Sequence, residues 1–426
     1  MVNAKTEQYQ TLKMPVTNVY ARGGFSVAVN IGSEEKIANL ILDTGSSTLV
    51  VRPENYSPHL DQLLMPTSYA QGVSYGMGGW CGEVVKTDIE LISHGDNITL
   101  NESHLSIASI TEPGCFAEAD GILGLAFHQL NQAHNLEDYL KEKGVKPLAT
   151  FPWEATEIDK QPIKKLESFL RKYPEEDIKP YFTQLEEKGT TANKFSFVVK
   201  RSSIHHAAPD LAITQLNQDP LNQGLFILGG GEEQTELHHD DFERVRVIDD
   251  VYYNVRLLEL KIGDFPAFLV PKLIGKELEQ HHSNAFIDTG ASMIVLEHSA
   301  YQYLIKCLEQ TNPQFKELLA PFAHFDGSEK GIQTSQLKLE EWPIIEFIFE
   351  AAVDCHKEKV SWLCQPSDYW QVNTPSYGQA SFKIISQLPG WPEQSILGLP
   401  LLANYYVIFA RFENQYGDIK FARAKN

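Results

Sequence analysis

Residues 39–56 read NLILDTGSSTLVVRPENY, and residues 284–301 read NAFIDTGASMIVLEHSAY. Each segment places an Asp-Thr-Gly triplet between two apolar runs, and the aspartates, Asp43 and Asp288, lie 245 positions apart. The shared frame continues downstream, where Ile122–Leu125 follows the first triplet and Ile396–Leu399 follows the second, both reading ILGL. Self-similarity at a long period is a sign of repeated architecture. We therefore predict two related lobes that face each other across a cleft, each supplying one acidic turn.

Strand signals dominate the rest of the chain, as short apolar or alternating runs separated by Gly, Asp and Asn. These runs are Phe25–Ile31, Val84–Ile92, Phe195–Val199, Leu225–Leu228, Val255–Ile262, Ile344–Phe349 and Tyr405–Phe409. The exception is about residues 128–179, where Ile163, Leu166, Leu170 and Tyr173 recur at helical spacing. We predict a mainly β, bilobal fold with an N-terminal lobe (1–215) carrying this partly helical insertion and a C-terminal lobe (216–426). A structural role for the insertion is favoured, with a regulatory role as the alternative.

Length and charge narrow the classes of partner. A chain of 426 residues suits two lobes of roughly 200 residues each. The formal net charge is −20, so the surface repels phosphate backbones and anionic membranes. No apolar run approaches the roughly 20 residues of a membrane span. We therefore expect neither a nucleic acid nor a membrane as partner.

The cysteines and the N-terminus indicate a reducing compartment. The five cysteines are sparse and odd in number, and no continuous apolar segment follows the first basic residue as it would in a secretory signal. We therefore expect free thiols and a cytoplasmic protein. A bridge between Cys355 and Cys364 stays open as an alternative, because the two are close in sequence.

The two acidic turns carry the candidate chemistry. An Asp between a buried strand and a Gly turn is held rigidly, and the Gly lets backbone approach it closely. Two such carboxylates across a pseudo-two-fold axis can share one proton. The ionised member then takes a proton from a water, while the protonated member polarises a carbonyl. The alternative, an Asp that only caps its own turn, suits one isolated triplet better than two in a repeated frame.

At these motifs the chain resembles the pepsin family of aspartic peptidases. LILDTGSSTLVV and AFIDTGASMIVL look like its two active-site loops, and VSYGMGGWCGE at residues 73–83 looks like its flap, a β-hairpin over bound peptide. The two ILGL segments look like the supports of the active-site loops. The resemblance runs from about Asn18 to Phe421, apart from the insertion. It implies the bilobal pepsin-like acid protease fold and an endopeptidase that cleaves peptide bonds between bulky apolar residues.

The resemblance also implies roles for individual residues. The catalytic pair is Asp43 and Asp288; the supporting residues are Thr44, Gly45, Ser46, Thr289 and Gly290; the substrate-binding residues are Tyr75, Gly76, Met77, Ile41 and Ile122. For the two isoleucines, plain core packing is an equal alternative. The implied partners are a peptide or protein substrate and pepstatin-type inhibitors, bound by a monomer without cofactor or metal. A catalytically inactive member that binds peptides or proteins is the alternative function.

Three departures from the family pattern have consequences. Val50 stands where the family often has a tryptophan that bonds the flap tyrosine, so Trp80 is the candidate to hold Tyr75 instead. Ala291 stands where many members have Thr or Ser, whereas Ser46 keeps a hydroxyl that can donate to Asp43. Asp288 would then lack a matching donor, which raises an apparent pKa of the pair and predicts an optimum less acidic than pepsin's. Leu399 stands where an Asp is frequent.

The remaining features concern processing and metals. With 42 residues before Asp43, the chain is most similar to bacterial cytoplasmic pepsin homologues of the shewasin type, and we expect no zymogen. The histidine pairs at 205–206, 238–239 and 281–282 are expected at the surface rather than around a metal, because adjacent strand residues point to opposite faces and zinc spacing is missing.

Overall fold

The structure, a computed structural model, describes residues 9–34, 36–75, 78–93, 95, 97–152, 162–239, 241–411 and 416–425. The chain forms two compact units. Unit 1 consists of Met1–Met14 and Ser26–Ala192, and unit 2 consists of Pro15–Phe25 and Asn193–Asn426. The boundary that we predict between the two lobes, after residue 215, stays a prediction.

Unit 1 is built on a sheet of long, alternating strands. Its strands, with β1 shared between the units, are β1 Leu12–Thr17, β2 Ser26–Ile31, β3 Lys36–Asp43, β4 Leu49–Val51, β5 Met65–Ser74, β6 Gly79–Leu91, β7 Ile98–Ile107, β8 Ile110–Thr111, β9 Gly121–Gly124, β10 Gln132–Asn135 and β11 Glu175–Asp177. Its helices are α1 Glu137–Glu142, α2 Ile163–Leu170 and α3 Tyr181–Glu187. The strands pair in the order β11-β10-β5-β6-β7-β4-β9-β3-β2. The predicted strands at 25–31 and 84–92 are thereby confirmed as β2 and β6.

The predicted flap is a β-hairpin. Strands β5 and β6, which we call the flap hairpin, pair antiparallel, with Val73 opposite Trp80 and Ser74 opposite Gly79. The Tyr75 amide donates to the Gly78 carbonyl at 2.8 Å and extends the pairing by one step.

The insertion adds both strands and helices to the flap hairpin. Strand β10 pairs with β5 on one side and with β11 on the other, so it extends the sheet beyond the hairpin's outer strand. The predicted helix is confirmed as α2, which buries Ile163, Leu166 and Leu170. Tyr173 follows the end of that helix and packs beside Leu170. The two short strands were not predicted, since three or four residues show no readable alternation.

Unit 2 is also mainly β. Its strands are β12 Lys194–Val199, β13 Gln223–Leu228, β14 Glu243–Arg246, β15 Asn254–Val255, β16 Leu257–Ile262, β17 Phe268–Leu269, β18 Ala285–Ile287, β19 Ile294–Leu296, β20 Ile332–Gln333, β21 Ile345–Glu350, β22 Lys359–Cys364, β23 Trp370–Val372, β24 Gln379–Phe382, β25 Ile384–Ser386, β26 Ser395–Leu397, β27 Tyr405–Ala410 and β28 Asp418–Arg423. Its helices are α4 Ile213–Gln218, α5 Gly275–His281, α6 His298–Thr311, α7 Phe315–Leu319, α8 Pro366–Tyr369 and α9 Leu399–Leu402.

These strands pair as β13-β12-β27-β28-β14, β15-β18-β26-β19-β25, β17-β16-β21-β22 and β20-β24-β23. The predicted strands at 195–199, 225–228, 344–349 and 405–409 are confirmed, and the run at 255–262 is split at Arg256 into the end of β15 and β16. The mainly β fold class is thus confirmed in both units.

Two charged side chains lie inside unit 2. Asp368 is buried and accepts hydrogen bonds from the Gln365 amide and the Asn404 side chain, both at 2.8 Å. Burial raises the pKa of Asp368 to about 6. Lys383, 1% exposed at its side chain, forms an ion pair with Glu329 at 2.5 Å. Burial opposes ionisation of Glu329, but the Lys383 ammonium, together with hydrogen bonds from the Ser203 and Thr374 hydroxyls, outweighs it and holds the pKa of that carboxyl below its usual range.

The structure tests the expectations for the cysteines and for one of the histidines. All five cysteines are free, so the alternative of a Cys355–Cys364 bridge is not realised. The surface assignment of His238 is wrong: the residue is 1% exposed and packs against the Phe242 and Tyr406 rings. It can be buried because a backbone carbonyl lies beside each ring nitrogen, at 3.0 and 3.1 Å, and either can accept the ring N–H. Among the described residues, no helix is both long and apolar enough to span a bilayer.

Candidate active site

The first Asp-Thr-Gly turn joins two strands that flank a third. Strand β3 ends at Asp43 and pairs parallel with β9, with Asp43 opposite Gly124. After the turn the chain returns as β4, which pairs antiparallel with the other edge of β9. The Leu125 amide donates to the Asp43 carbonyl at 2.7 Å. The predicted support of the turn by its ILGL segment is therefore present in unit 1.

The second turn repeats this arrangement within unit 2. Strand β18 precedes Asp288 and pairs parallel with β26, and β19 follows the turn and pairs antiparallel with β26. The Asp288 amide donates to the Leu397 carbonyl at 3.1 Å, and the Leu399 amide to the Ala291 carbonyl at 2.8 Å. The tandem repeat inferred from sequence is thus a repeat of strand topology as well.

The glycine of each ILGL segment is required by close backbone approach. A Cβ placed on Gly124 would lie 2.4 Å from the carbonyl carbon of Ser47, and one on Gly398 would lie 2.2 Å from the Met293 oxygen. Real Cβ atoms essentially never come closer than 3.0 Å to such atoms. The two turns therefore rest directly on their supporting strands, with no room for a side chain between them.

Each of the two carboxylates accepts an equivalent hydrogen bond from a glycine amide in its own turn. The Gly45 amide donates to Asp43 Oδ1 at 2.7 Å, and the Gly290 amide donates to Asp288 Oδ1 at 2.8 Å. Asp43 is 8% exposed, and Asp288 is partly buried. A hydrogen bond from an amide to a carboxylate fixes the orientation of the acid and favours its charged form. The third residue of each triplet thus positions the first.

The remaining turn residues are buried, with one difference from expectation. Thr44 and Thr289 are at most 1% exposed. The Ser46 hydroxyl is buried too, but it has no hydrogen-bond partner within the described part of the chain, so the expected donation to Asp43 is absent. The expectation of a less acidic optimum, which contrasted Ser46 with Ala291, therefore loses one of its two premises.

One supporting residue was missed in the sequence. The buried Ser47 hydroxyl donates to the Phe127 carbonyl, which lies just beyond β9, and so ties the turn to the end of its supporting strand. The available signal was that Ser47 and Ser292 occupy matching positions in the two copies of the repeat.

The flap tyrosine is held by the residue proposed for that role. Trp80 is fully buried, and its indole Nε1 donates to the Tyr75 hydroxyl at 3.1 Å. The predicted contact between Trp80 and Tyr75 is therefore present. Of the other flap residues, Gly76 and Met77 lie outside the described residues.

The two predicted pocket residues are neighbours in unit 1. Ile41 and Ile122 lie opposite each other on the parallel pair β3 and β9, so their side chains share a face of the sheet. Both are buried, at 7% and 4% exposed. This placement brings the pair together but is compatible with a pocket wall and with plain core.

Residues 24–146 match the family model described as eukaryotic aspartyl protease. The matched range holds Asp43, the flap hairpin and Gly124, and Asp288 lies beyond it. The mainly β structure is consistent with a pepsin-like fold, and the matched part of unit 1 is similar to an aspartyl protease domain, which supports peptidase activity in general.

Proposed function

We propose that this protein is an aspartic endopeptidase in which Asp43 and Asp288 jointly activate one water molecule. The observation that carries the proposal is the equivalence of the two turns. Asp43 ends a buried strand and Asp288 directly follows one. Each turn rests on a strand that contains a glycine, and each aspartate accepts a hydrogen bond from the amide of the glycine two residues later. Support for peptidase chemistry comes independently from the family match over residues 24–146.

In the proposed mechanism, the carboxylates of Asp43 and Asp288 share one proton. The ionised carboxylate takes a proton from the water, and the resulting hydroxide equivalent attacks the scissile carbonyl carbon. The protonated carboxyl donates its proton to the carbonyl oxygen, which gives a neutral tetrahedral diol. The roles then reverse: the carboxyl that took the proton from water protonates the leaving nitrogen, the other carboxylate takes a proton from a diol hydroxyl, and the C–N bond breaks. One proton is then again shared by the pair. These reaction steps require no covalent intermediate between enzyme and substrate.

The proposed substrate is a peptide with bulky apolar residues on both sides of the cut bond. Tyr75, positioned by Trp80, would close over the bound peptide and limit access of bulk water to the reacting bond. Ile41 and Ile122 would offer an apolar surface to a substrate side chain. We further propose a monomer that works in the cytoplasm, of the bacterial shewasin type, and that pepstatin-type inhibitors bind in place of the substrate.

A peptide-library digest across pH tests the proposal. Wild type, Asp43→Ala and Asp288→Ala would be incubated with a mixed peptide library between acid and neutral pH, with and without pepstatin, and cleavage sites identified by mass spectrometry. We expect cleavage by wild type at acid pH, next to bulky apolar residues, that pepstatin blocks and both variants lose.

The proposal fails if the wild type cleaves nothing at any pH, or if either variant cleaves as well as wild type. A wild type that binds pepstatin without cleaving peptides would instead favour a catalytically inactive peptide-binding protein.

A further inference from the structure

Helix α2 of the insertion lies directly on the outer strand of the flap hairpin. Ala70 of β5 and Leu170 of α2 belong to the same buried apolar cluster, so the helix packs against this strand. The Ser74 hydroxyl donates to Glu167 Oε1 at 2.5 Å. Ser74 immediately precedes Tyr75, so this bond reaches the last strand residue before the flap tyrosine.

The inner strand of the hairpin contacts the same helix through apolar atoms. The buried Cys81 thiol packs with Ile163 and Leu166 of α2 and with Ile110. Burial, reinforced by the nearby carboxylate of Glu167, raises the pKa of Cys81 to about 12. This thiol therefore acts as a small apolar side chain in the contact. Cys81 directly follows Trp80, the residue that holds Tyr75.

The base of the outer strand is held by other parts of the insertion. The Thr150 amide donates to the Thr67 carbonyl at 2.8 Å, and its hydroxyl to the Tyr69 carbonyl at 2.6 Å. Strand β10 pairs with residues 69–70 of the same strand. The outer strand is thus bonded to the insertion from residue 67 to residue 74, whereas a free hairpin would be anchored at its base alone.

We propose that the insertion positions the flap hairpin, and that Glu167 is the positioning residue nearest to its tip. Helix α2 restrains the hairpin through the Ser74–Glu167 hydrogen bond and the apolar contact at Cys81, which limits the excursions of Tyr75. This inference rests on the proposed function where it concerns substrate: a restrained Tyr75 is already oriented for binding, so less conformational freedom is lost when a peptide binds. Glu167 touches no reacting atom and acts through the hairpin.

Hydrogen exchange tests the restraint without reference to catalysis. In wild type, Glu167→Ala, Glu167→Gln and Ser74→Ala, amide exchange would be followed by mass spectrometry for peptides covering residues 65–75 and 78–91. Loss of one hydrogen bond at this exposed site predicts about fivefold faster exchange near Ser74 in Glu167→Ala and Ser74→Ala. Glu167→Gln keeps an acceptor oxygen and is expected to exchange as wild type does. Glu142→Ala, a substitution of an exposed glutamate on α1, is the matched control.

Peptide cleavage at acid pH supplies the second measurement. We expect Glu167→Ala and Ser74→Ala to raise KM about fivefold with kcat nearly unchanged, the double variant to match either single variant, and Glu167→Gln to behave as wild type. Unchanged exchange in the flap peptides of Glu167→Ala would overturn the proposal, whatever the activity. Faster exchange with unchanged KM would overturn its link to substrate binding. An inactive wild type with a protected flap would instead refute the proposed function and leave the restraint standing.

Discussion

Substitution of Gly398 by alanine tests the contact on which the second acidic turn rests. The added Cβ would lie 2.2 Å from the Met293 oxygen and 2.4 Å from the Ala291 oxygen, against an ordinary contact of at least 3.4 Å. Relief therefore requires the turn and its support to separate by about 1.2 Å. Both obstructing atoms are backbone oxygens of the turn that follows Asp288, so no side-chain rotation can remove the clash.

The expected consequences differ for stability and activity. Overpacking of this kind typically costs about 1–3 kcal/mol of unfolding free energy, which a chain of this size tolerates. A displacement of about 1 Å at a catalytic group costs about 100-fold in rate. We therefore expect Gly398→Ala to fold and to lose about 100-fold in kcat/KM, and Gly124→Ala, whose Cβ would lie 2.4 Å from Ser47, to do the same.

The assay is kcat/KM on an apolar peptide at acid pH, with urea unfolding of the same samples. Gly95→Ala is the control, because no atom lies within 4 Å of its added Cβ. Retention of more than about half of the wild-type kcat/KM by folded Gly398→Ala would refute the view that this strand positions Asp288.

Three further predictions concern the flap and the interior of unit 2. Trp80→Phe removes the donor to Tyr75 and is expected to raise KM about fivefold, measured by peptide cleavage. Asp368 has a folded pKa of about 6, above its ordinary value of 3.8, so the folded state binds the proton more tightly and unfolding free energy falls as pH rises between these values. Asp368→Asn should remove about 2.5 kcal/mol of that pH dependence, measured by urea unfolding at pH 4 and pH 7. Lys383→Met leaves the Glu329 carboxylate without its cationic partner and is expected to lower the free energy of unfolding by about 3 kcal/mol at pH 7. The depressed pKa of Glu329 means that this pair stabilises above its ordinary value of 4.5, and the cost should shrink in acid.

Each of these has its own control and contradicting outcome. Trp391→Phe in unit 2 should leave KM unchanged, and an equal effect in both tryptophan variants would point to a general loss of stability. Equal pH dependence in Asp368→Asn and wild type would show that burial does not raise that pKa. Lys359→Met breaks a more exposed ion pair with Glu259 and should cost less than about 1 kcal/mol. A similar cost for both lysines would contradict the importance of burial.

The turns, their supporting strands and helix α2 could be predicted because short stretches of neighbouring residues determine them. Each Asp-Thr-Gly turn sits between apolar runs long enough to read as strands, and the ILGL segments repeat at both sites. Helix α2 was visible through the spacing of Ile163, Leu166 and Leu170, all of which are buried. Trp80 could be proposed as the partner of Tyr75 because both residues lie within the short flap segment at residues 73–83.

Contacts between distant residues were not predictable. Strand β10 is too short to show alternation, and its pairing with β5 joins residues more than 60 positions apart. The Ser74–Glu167 bond spans 93 positions and leaves no mark on either local sequence. His238 looked like a surface residue because the two carbonyls that can accept its ring N–H, those of His239 and Glu232, are supplied by backbone geometry.

The most direct test of the shared-proton mechanism is the comparison of Asp43→Asn, Asp288→Asn and the double variant by kcat/KM on one apolar peptide at acid pH. Because two carboxylates that activate a single water act as a unit, each single variant should fall to the same residual rate as the double variant. Substantial activity in either single variant, or losses that multiply in the double variant, would contradict the account.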